Sequence, residues 1–197
     1  MNKTPPCIAY VHIEKAAGST LHDIFLKNIF GYHIFSPYQF GKLVDNQSVC
    51  LTSDELKKIR SFYPFMKSFG GHSVRSYCGY EDVFEDILYV TFLREPIKRF
   101  YSHYLYQTEV MSVAWSLDDF IASGQFNNFM CNKIAGQKSF DSALKEINKR
   151  FFFVGIIEEF DKSLLELRAR LFEIGFSFSS DYENKNTRTG RGGVNYL

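Results

Sequence analysis

Thiolate chemistry of the usual structural kinds is missing from this chain. Its four cysteines, Cys7, Cys50, Cys78 and Cys131, include no Cys-x-x-Cys pair and have no histidine at metal-ligand spacing beside them, so they read as free thiols of a reducing compartment. No apolar run approaches the ~20 residues that a membrane span needs, and no charged segment followed by an apolar one opens the sequence. An excess of either charge is lacking too. The 23 Lys and Arg against 22 Asp and Glu leave a formal net charge of +1, so no sequence-wide field would draw the chain to nucleic acid or to an acidic membrane, and any anion site must be local. Repeats, low-complexity tracts and Pro- or Ser-rich linkers are absent, and one domain over residues 1–197 is the economical expectation. That length buries a core without cross-links. What the chain has in quantity is aromatic side chains, 21 Phe and 12 Tyr, enough for a Phe-rich core with some left to stack on a base or a sugar ring.

The apolar pattern alternates between two periods. Residues 7–13 form a short apolar run bounded by Pro5-Pro6 and Glu14-Lys15, which predicts a buried strand. From Ser19 the period lengthens, with Leu21, Ile24, Phe25 and Ile29 at helical spacing up to Gly31. A second strand is expected over 65–69, before Gly70-Gly71-His72. Residues 87–93 read ILYVTFL, a continuous run of the kind that parallel strands show when both faces are covered. Pro96 then opens a helix whose stripe is Ile97, Phe100, Tyr101, Tyr104 and Leu105. Ser116 and Asp119 have capping-box spacing, and Asp141 is placed to cap a helix ending at Arg150. Another strand is expected over 151–157 and an amphipathic helix from there to Gly175. This alternation implies an α/β fold, a mostly parallel sheet with helices on both faces. The polar segment 177–197 reads as a flexible end or as a loop that orders on a ligand.

In open sheets of this kind ligands bind beyond the carboxyl ends of the strands, which directs attention to three loops. After the first strand comes Glu14-Lys15-Ala16-Ala17-Gly18-Ser19-Thr20, running straight into a helix. Its small residues allow close backbone approach, the helix N-terminus offers N–H groups, and Ser19 and Thr20 add hydroxyls, as a bound anion requires. The pattern is not G-x-x-x-x-G-K-[ST], because the lysine precedes the glycine. An ordinary capped helix would look the same at this one loop. Arg94, at the end of the third strand, and Ser102, two turns into the next helix, are natural phosphate donors, although Arg94 could equally pair with Glu95. His72 is the candidate proton acceptor, its ordinary pKa of ~6.5 suiting proton transfer at neutral pH. The other histidines have duller settings: His12 in a strand, His22 and His103 on helices, and His33 in a loop.

Taken in order, these loops resemble motifs of the PAPS-dependent sulfotransferases, in particular the carbohydrate branch that includes the heparan and uronyl 2-O-sulfotransferases. The family's 5′-phosphosulfate loop reads approximately H-I-P-K-T-A-G-T-S, and residues 12–20 here read His-Ile-Glu-Lys-Ala-Ala-Gly-Ser-Thr. Its 3′-phosphate segment, L-R-D-P-x-x-R-x-x-S-x-Y, is similar to Leu93-Arg94-Glu95-Pro96-Ile97-Lys98-Arg99-Phe100-Tyr101-Ser102-His103-Tyr104. A Gly-His pair that supplies the base in the family is matched by Gly71-His72, and a V-G-x-x-E-x-F-D segment by residues 154–161. Asn186-Thr187 falls where the family carries an asparagine-rich loop near the nucleotide. Glu14 in place of proline and Ala16 in place of threonine are departures.

The resemblance implies a P-loop-like nucleotide-binding fold that transfers a sulfuryl group from 3′-phosphoadenosine-5′-phosphosulfate (PAPS), leaving PAP. In that reading Lys15 and His72 are catalytic, and Lys15, Ala17, Gly18, Ser19, Thr20, Arg94, Ser102 and Arg188 bind the nucleotide without metal. The acceptor is a carbohydrate or another hydroxyl-bearing molecule, with no nucleic acid and no membrane span involved. Relatives commonly continue beyond the asparagine loop, which implies a shortened C-terminal part. The expected location is cytoplasmic, the alternative being an excised catalytic domain of a secretory-pathway enzyme. Two other functions fit the same residues: a nucleotide-dependent kinase or phosphotransferase, and a non-catalytic nucleotide-binding module of this fold.

Overall fold

The structure is a computed structural model that describes residues 6–28, 33–35, 50–177, 179 and 182. Five strands, β1 (Cys7–Val11), β2 (His33–Phe35), β3 (Ser68–Gly71), β4 (Ile87–Leu93) and β5 (Phe151–Ile156), form one sheet in the order β2-β3-β1-β4-β5. Every pairing is parallel. The α-helices among the described residues are α1 (Gly18–Asn28), α2 (Ser53–Phe62), α3 (Pro96–Leu105), α4 (Leu117–Ala122), α5 (Phe129–Ala135), α6 (Phe140–Arg150) and α7 (Phe160–Glu173). The expected α/β fold, a parallel sheet flanked by helices, is the observed one.

Side-chain alternation along the strands explains the layers. Ile8 and Tyr10 of β1, with Val90 and Phe92 of β4, pack against Leu21, Ile24 and Phe25 of α1 and Leu164, Leu167 and Leu171 of α7. Cys7, Ala9 and Val11 point the other way, against Leu56 of α2 and the segment carrying Val74, Tyr80 and Phe84. Ile13 and Ala16 form a third cluster with Ile134 of α5 and Ala143 of α6, at the carboxyl end of the sheet. That cluster holds the first loop against α5.

The strands fall close to their expected places, with differences at the ends. The second expected strand is shifted to Ser68–Gly71, so Gly70 and Gly71 are inside it and pair with Tyr10 and Val11. His33, expected in a loop, stands in β2, and α2 opens on a Thr52–Glu55 capping box that is formed reciprocally. Ser116, picked out with Asp119 by capping-box spacing, caps α4, its hydroxyl accepting from the Asp119 N–H, whereas α5 had no counterpart in the sequence pattern. The cap of α6 is Ser139, whose hydroxyl accepts from the Ser142 N–H, and not Asp141. Past Leu105 the chain widens into a π-turn over Tyr106–Val110. Arg188, Asn186 and Thr187 lie outside the described residues.

Candidate active site

Because β1 is flanked by β3 on one side and β4 on the other, the chain reverses direction across the sheet at β1. That switch point opens a crevice at the strands' carboxyl ends. The loops after β1, β3 and β4 meet there. Arg94 Nη1 donates to the Lys15 carbonyl at 3.1 Å. Lys133, from α5, donates through Nζ to the His72 carbonyl at 2.9 Å and forms an ion pair with Glu14 Oε1 at 2.7 Å. The same carboxylate oxygen lies 3.2 Å from His72 Nδ1. Lys15 Nζ rests over the Tyr106 ring, 4.4 Å from its centre. Of the sequence-predicted residues, Lys15, His72 and Arg94 are thus brought to one end of the sheet. The alternative pairing of Arg94 with Glu95 is not formed, because Glu95 caps α3 through the Ile97 and Lys98 N–H groups.

The first loop has a backbone suited to an anion. Lys15 and Ala17 adopt positive φ, 69° and 55°, on either side of Ala16, and alternation of this kind turns successive N–H groups toward one concave side. For residues with a Cβ, each such conformation costs about 1–2 kcal/mol. Burial of Ala16 and its N–H bond to the Ile13 carbonyl, 3.2 Å, hold the loop in place. Gly18 begins α1 against the His12 ring. A Cβ at Gly18 would lie 1.7 Å from His12 Nε2, so only glycine fits. Thr20 is buried in the first turn of α1 and Ser19 is exposed there. Ser102 is half-buried on α3, and its hydroxyl bonds to none of the three loops among the described residues.

Charge is concentrated beneath this end of the sheet. Arg75, Arg99 and Lys133 are 1%, 2% and 2% exposed, and among the described residues the one carboxylate in an ion pair with any of them is Glu14. Arg75 is held by the carbonyls of His72, 2.7 Å, and Val74, 2.8 Å. Arg99 contacts His103 Nδ1, 3.1 Å, and lies over the Phe129 ring. Burial pushes Arg99 down to about 10. It also pushes Lys133 down to about 8 against the opposing pull of Glu14. Burial resists ionisation of Glu14, yet Lys133 and His72 together hold its carboxyl well below the usual range. Both members of the pair are therefore charged at neutral pH. Buried cations with so few counter-charges create a positive potential that a bound anion relieves.

Four histidines, read in the sequence as unrelated, adjoin one another. His72 stacks on His12 with ring centres 4.0 Å apart. His12 Nδ1 is 3.2 Å from His22 Nε2, His22 Nδ1 is 2.9 Å from His33 Nε2, and His33 Nδ1 is 2.6 Å from the buried Ser68 hydroxyl. Burial pushes His12, His22 and His33 down to about 3, 2 and 4, so these rings are neutral and each has one N–H to donate. Mutual hydrogen bonding occupies their facing nitrogens. No group of three or more His, Cys, Asp or Glu among the described residues is arranged to hold a metal ion.

Sequence reasoning missed Glu14 and Lys133 as members of the site. Glu14 was visible as the departure from proline. Lys133 gave no signal because α5 itself was not foreseen. Beside the loops, α3 and α5 enclose an open cavity of about 500 Å³, lined by Arg99, Phe100, Phe126, Phe129, Met130 and Phe140 among others. Its lining comes from α3, from residues 126–131 and from Phe140. No helix among the described residues is long and apolar enough to cross a membrane.

No protein-family profile matches the chain, and no curated protein matches it in sequence. Its fold is similar to that in the crystal structure of a sulfotransferase from Alicyclobacillus acidocaldarius, with a TM-score of 0.50 and 15% sequence identity over 92% of this chain and 85% of that one.

Proposed function

We propose that this chain transfers a sulfuryl group from PAPS to a hydroxyl of a carbohydrate-like acceptor, with His72 as base. The observation that carries the reading is the convergence of Lys15, Arg94 and a carboxylate-backed His72 at the sheet's switch point. The fold likeness supports sulfuryl transfer in general, and the ordered motifs supply the finer assignment.

The Glu14 carboxylate, 3.2 Å from His72 Nδ1, draws the ring proton to that side in the proposed reaction and leaves Nε2 as the basic nitrogen. The acceptor oxygen attacks sulfur as His72 takes its proton, and the bond from sulfur to the 5′-phosphate oxygen breaks. The carboxylate stabilises the imidazolium that forms, and Lys133 holds both the Glu14 carboxylate and the His72 carbonyl in place. Lys15 and the amino end of α1, with Ala17, Gly18, Ser19 and Thr20, take up the charge that develops on the departing phosphate. Arg94, Ser102 and Arg188 serve the 3′-phosphate. This division of labour is mostly positioning and electrostatics, as in phosphoryl transfer, and it requires no metal. The cavity beside Arg99 suits an acceptor that offers both a ring face and polar groups.

His72→Ala is expected to keep affinity for 3′,5′-ADP nearly intact while lowering turnover about 10²-fold or more, the usual effect of losing a general base. Calorimetry and a PAPS-coupled assay on an acceptor panel measure the two quantities. Undiminished turnover would reject the base assignment.

A further inference from the structure

Behind the loop that carries His72 lies a pair of thiols that the proposed reaction does not use. Cys50 immediately precedes Leu51, whose N–H donates to the Ser73 carbonyl at 2.8 Å and whose carbonyl accepts from the Tyr80 hydroxyl at 2.8 Å. Cys78 lies in the turn between those two partners, its N–H directed at the Arg75 carbonyl. These contacts hold the stretch that carries Cys50 against the turn that carries Cys78. Their side chains are hydrogen-bonded to each other, and both are reduced and half-buried.

The surroundings make the pair unequal. Arg75 is buried beside it, has no carboxylate in an ion pair among the described residues, and its Nε meets no hydrogen-bond partner there. The groups acting on Cys50 are Cys78, Arg75, the Tyr77 hydroxyl and Lys133. The hydrogen bond from Cys78 is the largest influence and, against burial, holds Cys50 below the ordinary thiol value with the help of the two cations. Cys78 moves the opposite way, raised by that same bond and by burial. Cys50 is thus the more acidic of the two thiols and Cys78 the less acidic one. Such a division suits a nucleophilic and a resolving cysteine.

We propose that Cys50 and Cys78 form a reversible oxidation site for hydroperoxides. The Cys50 thiolate attacks the distal peroxide oxygen, the O–O bond breaks, and alkoxide or hydroxide leaves as Cys50 becomes a sulfenic acid. The Cys78 sulfur then attacks the Cys50 sulfur, its proton leaving with the hydroxide as water. Two thiols and one hydroperoxide give one disulfide, one water and one alcohol, or a second water from hydrogen peroxide. Each sulfur loses one electron and the peroxide gains two. A thiol reductant reverses the step. The site does not depend on the sulfuryl-transfer reading, and its test uses no nucleotide.

The full chain is treated with stoichiometric hydrogen peroxide, denatured, alkylated and analysed by mass spectrometry. The alkylatable thiols are expected to fall from four to two, with a Cys50–Cys78 cross-linked peptide that dithiothreitol removes. In C78S, dimedone is expected to label Cys50 as the trapped sulfenic acid, and in C50S the label is lost while Cys78 remains a free thiol. Retention of four thiols under peroxide, a cross-link between other cysteines, or equal dimedone labelling of Cys78 in C50S would overturn the proposal.

Discussion

Lowering the pH from 7.5 to 6.0 should weaken this fold through its buried imidazoles, by an amount that the structure sets. A free histidine titrates near ~6.5. Burial pushes His12, His22, His33 and His103 down to about 3, 2, 4 and 4. The native state therefore resists protons that the unfolded chain accepts. The corresponding stability is whole above the unfolded value and is lost as the pH falls through ~6.5 toward ~4. Each fully resisting imidazole costs about 1 kcal/mol at pH 6 and about 2 kcal/mol at pH 5. Four of them remove about 3–4 kcal/mol at pH 6, a large part of the 5–15 kcal/mol typical of a domain. Urea unfolding followed by circular dichroism at pH 7.5 and 6.0 measures the loss. His22→Gln, in the middle of the relay, should reduce the acid-dependent part by about 1 kcal/mol. Equal stability at the two pH values, or the same acid loss in His22→Gln as in the parent chain, would refute burial of neutral rings as the cause.

Two further substitutions probe the site. Gly18→Ala drives a Cβ into the His12 ring and should destabilise by about 1–3 kcal/mol, as overpacking does. In a His12→Ala background the same change should cost little, a coupling that a double-mutant cycle with urea unfolding reads directly. Glu14→Gln leaves Lys133 buried without its carboxylate and should cost about 3–5 kcal/mol. Adding Lys133→Met should restore much of that stability without restoring the proposed sulfuryl transfer, since His72 still lacks its carboxylate. Recovery of transfer in the double variant would remove Glu14 from the reaction.

Most of the sheet was legible because parallel strands covered on both faces leave continuous apolar runs. β4 reads ILYVTFL and lies where that run begins and ends. β2 has only three residues, His33–Phe35, too short to show a period, and α5 has seven, of which Lys133 is buried. A lysine on a short helix gives no hint that it faces a glutamate more than a hundred positions earlier. The loops after β1 and β4 were readable from composition, because positive φ, small residues and a helix start are local properties. The histidine relay was not, since four rings from separate elements meet only when β1, α1, β2 and the loop after β3 are assembled. Glu14 illustrates the difference. In sequence it was a departure from a motif, and in space it is the acid that backs the proposed base.

Calorimetric titration of the chain with 3′,5′-ADP and with ATP, each in the presence and absence of Mg²⁺, tests the central claim most directly. The account predicts metal-independent binding of 3′,5′-ADP, tighter than ATP and weakened by both Lys15→Ala and Arg94→Ala. Preference for ATP with Mg²⁺, or no binding of the bisphosphate at all, would contradict it.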